Sequence, residues 1–237
     1  MPETTINIDV APIFSVPLAV TELAEAAAIN AELEPLLLSR ERPEFANPVP
    51  SPVLTRNVFE SAPGILQWQD ACMVKLRAAL MMIVGRVVGE LSAFTAQELT
   101  SIVGANQTRF HVTRHGGAIP AHNQPMASWS AVYCVNPGDE TPDYPDSALL
   151  RILDTRMAAC AYVDAATARW RSPFGFGHAT VKLRAGHVVL LPAYILREVT
   201  TYLGQRPRIT ISSTFTFARR NEPQSAGQAP SAPVTPS

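Results

Sequence analysis

The chain has 237 residues, 47% of them hydrophobic, and a formal net charge of −1. That length suits one large domain with a core of its own. The balanced charge lacks the basic excess of a general nucleic-acid binder and holds no run of like charges that would form an interaction arm.

The first residues, MPETTINIDVAPIF, have neither a basic start nor an apolar core, so no secretory signal is expected. Ile13, Val16 and Leu18 mark an opening strand. Residues 21–40 are predicted as a helix: Leu23, Ala27, Ile29, Leu33 and Leu37 recur at helical spacing, Thr21 is a candidate cap, and Pro35 should kink or shorten it. Residues 41–64 carry five prolines (43, 48, 50, 52 and 63) and read as an extended loop. Residues 67–93 form the clearest helix, with an apolar stripe through Val74, Leu76, Leu80, Ile83, Val87 and Leu91. Its greasiest stretch, 78–85, is interrupted by Arg86 and is too short to span a bilayer.

From residue 108 the texture changes. Short β-branched and aromatic runs at 108–114, 129–135, 148–153, 178–183, 187–191, 198–202 and 208–217 alternate with Gly and Pro turns. Strands at that spacing indicate an all-β sandwich or barrel, so helices first and strands afterwards give an α+β chain. Residues 221–237, NEPQSAGQAPSAPVTPS, cannot bury a core and are expected to be a disordered tail. The chain therefore reads as one domain over 1–220, helical over 1–107 and β over 108–220, followed by that tail.

Several familiar sites are absent. There is no P-loop, GxGxxG, GxSxG or HExxH pattern. Cys72, Cys134 and Cys160 are widely spaced and read as reduced thiols of a cytoplasmic protein. All five histidines, His111, His115, His122, His178 and His187, fall within the strand-rich half. Histidine is the commonest metal ligand, and two histidines with a carboxylate make the usual non-haem iron site, yet five unrelated histidines fit the pattern as well. In the last strand, alternation puts Arg208, Thr210, Ser212 and Thr214 on one face. An arginine beside hydroxyls can grip a carboxylate; a solvated polar face is the plainer reading. Trp129 and Tyr133 share a face of their strand and either line a cavity or fill the core.

Four segments together resemble a bacterial family of 2-oxoglutarate/Fe(II) oxygenases built on a double-stranded β-helix. His122-Asn123-Gln124-Pro125, followed by Ser130-Ala131-Val132-Tyr133, resembles the first-ligand turn and strand. Leu150-Arg151-Ile152-Leu153-Asp154-Thr155-Arg156 resembles the next strand. Gly186 to Tyr194 resembles the segment leading to the distal iron ligand, and Arg206 to Ser212 resembles the strand that holds the co-substrate. The resemblance implies a jelly-roll core of about eight strands with N-terminal helices buttressing its outer face. It also implies Fe(II) and 2-oxoglutarate as cofactors and metal positions at His122 and Gln124; His122 and Arg197 are the catalytic candidates if the chemistry is metal-free, as acid or base and as electrostatic stabiliser. Co-substrate contacts fall on Arg208, Thr210, Ser212 and Tyr133.

Two positions depart from the family. Gln124 stands where an ionisable ligand is expected, and Arg197 stands at the distal histidine position. Arginine stays protonated and cannot ligate iron. Three readings are open: an oxygenase with ligands recruited from His111, His115, His178 or Glu198; a pseudo-oxygenase binding a small anion or peptide through Arg197 and Arg208; or metal-free chemistry with His122 as acid or base. Arg197 paired with Asp154 or Glu198 is the plain structural alternative. The expected partner is a small-molecule or peptidyl substrate, with no nucleic acid and no membrane; a homodimer is among the assemblies such folds form.

Overall fold

The computed structural model of the protein describes residues 10–13, 15–49, 57–156, 161 and 163–220. The 221–237 segment and Cys160 lie outside these residues. The chain folds as a double-stranded β-helix with a helical layer on one side. Its strands, in chain order, are β1 Ala19–Glu22, β2 Val58–Glu60, β3 Ile102–Thr113, β4 Ile119–His122, β5 Trp129–Asn136, β6 Leu150–Leu153, β7 His178–Val181, β8 His187–Pro192, β9 Arg197–Val199 and β10 Arg208–Arg219. The helices are α1 Ala26–Ser39, α2 Ala71–Leu91 and the short α3 Ala96–Thr100.

The strands form two antiparallel sheets, a six-stranded one in the order β1-β8-β5-β10-β3-β2 and a four-stranded one in the order β4-β9-β6-β7. β3 and β10 pair over their full length, from Arg208↔Thr113 to Arg219↔Ile102. Period-two alternation splits the large sheet into two faces. Phe110, Val112, Ala131, Tyr133, Val135, Val188, Leu190, Ile209, Ile211 and Phe215 point outward and pack against Ile29, Leu33 and Leu37 of α1 and Leu76, Leu80 and Val84 of α2. Val132, Cys134, Val189 and Leu191 point inward, where they meet Ile119, Leu150, Ile152 and Val199 of the small sheet. The first core fastens the helices to the barrel; the second fills the barrel below its mouth.

Several expectations shift here. The opening strand starts at Ala19, and the helix starts at Ala26 and not Thr21, because Ala19 to Glu22 pair with β8. The turn before β8 is closed by Gly186, which has φ +88° and approaches α1 so closely that a Cβ would stand 2.5 Å from that of Ala26. Pro35 does not stop α1, which runs on to Ser39 and buries Leu37. The proline-rich 41–64 stretch holds β2, and β4 comes from a segment with no strand pattern. Cys72 and Cys134 are buried free thiols, and burial raises both, Cys134 to about 11. No helix among the described residues is long and apolar enough to cross a membrane.

Candidate functional site

Pairing of β4 with β9 sets His122 directly opposite Arg197. These two residues open a cavity between the sheets that is also lined by Glu60 of β2, Arg109 and His111 of β3, Gln124 after β4, and Thr210, Ser212 and Thr214 of β10. The inward face predicted for β10 is therefore real. Thr210 is 3% exposed and forms part of the cavity wall, while Arg208, 1% exposed, is the preceding residue on the same strand face and is not itself part of that wall.

Neither Arg197 nor Arg208 has an ion pair among the described residues. Neither of the terminal nitrogens of Arg208 has a hydrogen-bond partner there. Thr113, its cross-strand neighbour, also has a buried hydroxyl without a partner among the described residues. Arg197 is 2% exposed; its Nη2 reaches Ser212 Oγ at 3.4 Å, and its Nη1 has no partner among the described residues. Burial pulls its pKa down to about 10, so it remains charged at neutral pH. Burial lowers Arg208 as well. The two acids that could have paired with Arg197 are committed elsewhere: Glu198 to Arg151 at 3.5 Å, and Asp154 to Arg156 at 2.8 Å.

The opposite wall carries acid–base groups. Glu60 lies across from His111 in register, and its Oε2 stands 3.2 Å from His111 Nε2. Burial pushes the Glu60 carboxyl up, but hydrogen bonds from His111 and Asn47 outweigh this and hold it below its usual range. His122 is lowered by burial and by the Arg197 charge, which keeps it neutral at pH 7. Its Nδ1 stands 2.9 Å from the Pro120 carbonyl, which can only accept, so Nδ1 carries the proton and Nε2 keeps the lone pair.

Not every expected residue arrives. Tyr133 faces the helices: it is fully buried in the outer core, and its hydroxyl donates to Asn30 Oδ1 at 2.6 Å. It cannot touch a co-substrate in the barrel, because its neighbours Val132 and Cys134 hold the inward positions of β5. Trp129 shares its outward face. His115 bonds the Leu203 carbonyl, His187 accepts from Arg184, and His178 lines a separate groove beside Phe174 and Phe176. Glu60 and Arg109 escaped sequence reasoning altogether. The one available signal for Glu60 was the apolar pair Val58-Phe59 before it.

The donor set does not fit Fe(II). The position pattern offers one imidazole, one neutral amide and one buried cation, and a cation repels a divalent metal beside it. The nearest other donors, Glu60 and His111, face each other. Among the described residues no group of three His, Cys, Asp or Glu side chains is placed to hold a metal ion.

Residues 110–214 match the model of a family described as "Putative 2OG-Fe(II) oxygenase". No curated protein matches the sequence. Among solved structures, the chain is similar to a prolyl-4-hydroxylase of Pseudomonas putida, with a TM-score of 0.57 at 16% identity over 87% of this chain and 94% of that one. It is similar to AviO1 of Streptomyces viridochromogenes Tue57, with a TM-score of 0.56 at 13% identity over 94% of each chain. It is also similar to HygX of Streptomyces hygroscopicus, solved with nickel, 2-oxoglutarate and hygromycin B bound, with a TM-score of 0.54 at 11% identity over 85% of this chain and 83% of that one. At these identities the structural likeness speaks for the fold.

Proposed function

We propose that this chain, which carries the barrel of the 2OG-Fe(II) oxygenases and their sequence pattern over residues 110–214, keeps the anion-binding half of that site and binds a small 2-oxo acid of the 2-oxoglutarate class. One observation carries the reading. Arg208 is sealed inside the barrel with both terminal nitrogens unpartnered among the described residues. A buried charge with no partner is expensive, and natural proteins retain one where a ligand completes it. A carboxylate held bidentately by Arg208 would satisfy both nitrogens, with the Thr210 hydroxyl beside it.

The competing reading is an oxygenase that hydroxylates a small metabolite or peptidyl group. It requires three donors around one metal, and the positions that match the family's ligands are His122, Gln124 and Arg197. A metal-free enzyme using His122 Nε2 as the base shares the anion site and differs only in the chemistry done on the bound anion.

Calorimetric titration with 2-oxoglutarate tests the reading. The expected outcome is saturable binding by the native chain and loss of about 2 kcal/mol or more of binding free energy in Arg208→Ala, with far-UV circular dichroism unchanged. Equal affinity in the native chain and the variant sinks it.

A further inference from the structure

The position that the sequence resemblance assigns to a distal metal ligand holds a cation, Arg197, and that cation has no ion pair among the described residues. We infer that Arg197 is the second carboxylate clamp of the site: it stands at the position that resembles a metal ligand of the family, so the ligand is a dicarboxylate gripped between Arg197 and Arg208, without any metal. This rests on the reading that Arg208 binds an anion.

Arg197 lines the cavity and is 2% exposed. Its Nη1 has no partner among the described residues, and its Nη2 makes one long contact, 3.4 Å, to Ser212 Oγ. Glu198, the acid next to it in sequence, is engaged by Arg151, and Glu60 by His111 and Asn47. The side chain is thus a sealed, charged donor fork with no ion pair among the described residues, because the two carboxylates that share its cavity, Glu60 and Glu198, are engaged by other partners.

Geometry makes the ligand bifunctional. Ser212, which meets Arg197, and Arg208 lie on the same inward face of β10, four residues apart, or about 13 Å along the strand. Thr210 lies between them with its hydroxyl on the same face. A monocarboxylate would neutralise one guanidinium and leave the other bare. A short dicarboxylate lying along β10 would meet a fork at each end and a hydroxyl in the middle. In a two-arginine clamp the oxo group is dispensable, and the far carboxylate is not.

The test is calorimetric titration of the full chain, treated with EDTA, with three probes: 2-oxoglutarate, glutarate and 2-oxopentanoate. The inference expects 2-oxoglutarate to bind equally well with EDTA or with added Mn(II). It expects glutarate to bind within about ten-fold of 2-oxoglutarate, and 2-oxopentanoate to bind at least about ten-fold more weakly. Arg197→Gln should weaken glutarate by about ten-fold or more, and Arg197→Lys should restore part of the loss. The glutarate comparison needs no variant, so a misfolded Arg197→Gln would not spoil the test. Binding of 2-oxoglutarate only when metal is added, or a glutarate affinity unchanged in Arg197→Gln, overturns the clamp and leaves the Arg208 reading standing. No binding of any probe under either condition removes the Arg208 reading itself, and the clamp with it.

Discussion

A guanidinium sealed from water without a counter-ion costs several kcal/mol. In the ligand-free protein Arg208 carries that cost, since burial lowers its pKa and its terminal nitrogens lack partners among the described residues. Methionine is of similar length, apolar, and adaptable enough to fill the same space. Arg208→Met should therefore raise the melting temperature of the ligand-free protein, by about 2–4 °C for each kcal/mol recovered. The same variant should lose the upward shift that 2-oxoglutarate gives the native chain. Thermal scans with and without ligand measure both effects, and a fall of several degrees in the ligand-free scan would mean that Arg208 is a structural residue. This opposition between stability and binding is what separates a ligand-holding arginine from a structural one. That Arg208, Thr210 and Ser212 share one face was legible in the sequence, because Ile209 and Ile211 mark the apolar face; that Thr210 and Ser212 face a cavity and not solvent was not. Glu60 was not, because it ends a three-residue strand after a proline-rich stretch, where no periodicity can develop. Only pairing with β3 brings it to His111.

At the scale of the element, strand parity decided which expectations survived. β5 reads Trp-Ser-Ala-Val-Tyr-Cys-Val-Asn, and its centre is apolar on both faces because one face meets the helices and the other fills the barrel. Nothing in that run tells inward from outward, so Tyr133 could be assigned to either layer until the register with β10 was known. The same ambiguity hid β4, whose four residues include a proline and whose only strand credential is its pairing with β9. The outward place of Tyr133 has a measurable consequence. Its hydroxyl donates to Asn30 Oδ1, while Asn30 Nδ2 donates to the Val135 carbonyl at 2.9 Å, so α1 is tied to β5 through one buried amide. Tyr133→Phe leaves Asn30 Oδ1 unsatisfied in an apolar layer and should cost about 1–3 kcal/mol of stability. Because the inward face of β5 is untouched, affinity for 2-oxoglutarate should stay the same. Denaturant titration and calorimetry on one preparation check both halves; a loss of affinity matching the loss of stability would return Tyr133 to the site.

Over the whole molecule, the large sheet is shared by both cores. β10 sends Ile209, Ile211 and Phe215 into the helical layer and turns Arg208, Thr210 and Ser212 toward the barrel, while β3 does the same with Phe110 and Val112 against Arg109 and His111. The strands β3 and β10, which carry Arg109 and Arg208, are held flat by apolar residues on their other face, whereas Arg197 sits on β9 of the small sheet. Such an arrangement should unfold in one step, because stripping α1 and α2 from the sheet exposes the outward residues of the strands that shape the cavity. Leu76 of α2 is fully buried at the centre of that layer, with no contact to the cavity lining required of it. Leu76→Ala should cost about 2–5 kcal/mol. That loss should appear equally in far-UV circular dichroism, in tryptophan fluorescence and in the denaturant concentration at which 2-oxoglutarate binding disappears. Coincident midpoints in native and variant chains are the expected result. A binding midpoint that stays in place while the dichroism midpoint falls would mean that the barrel stands without its helices.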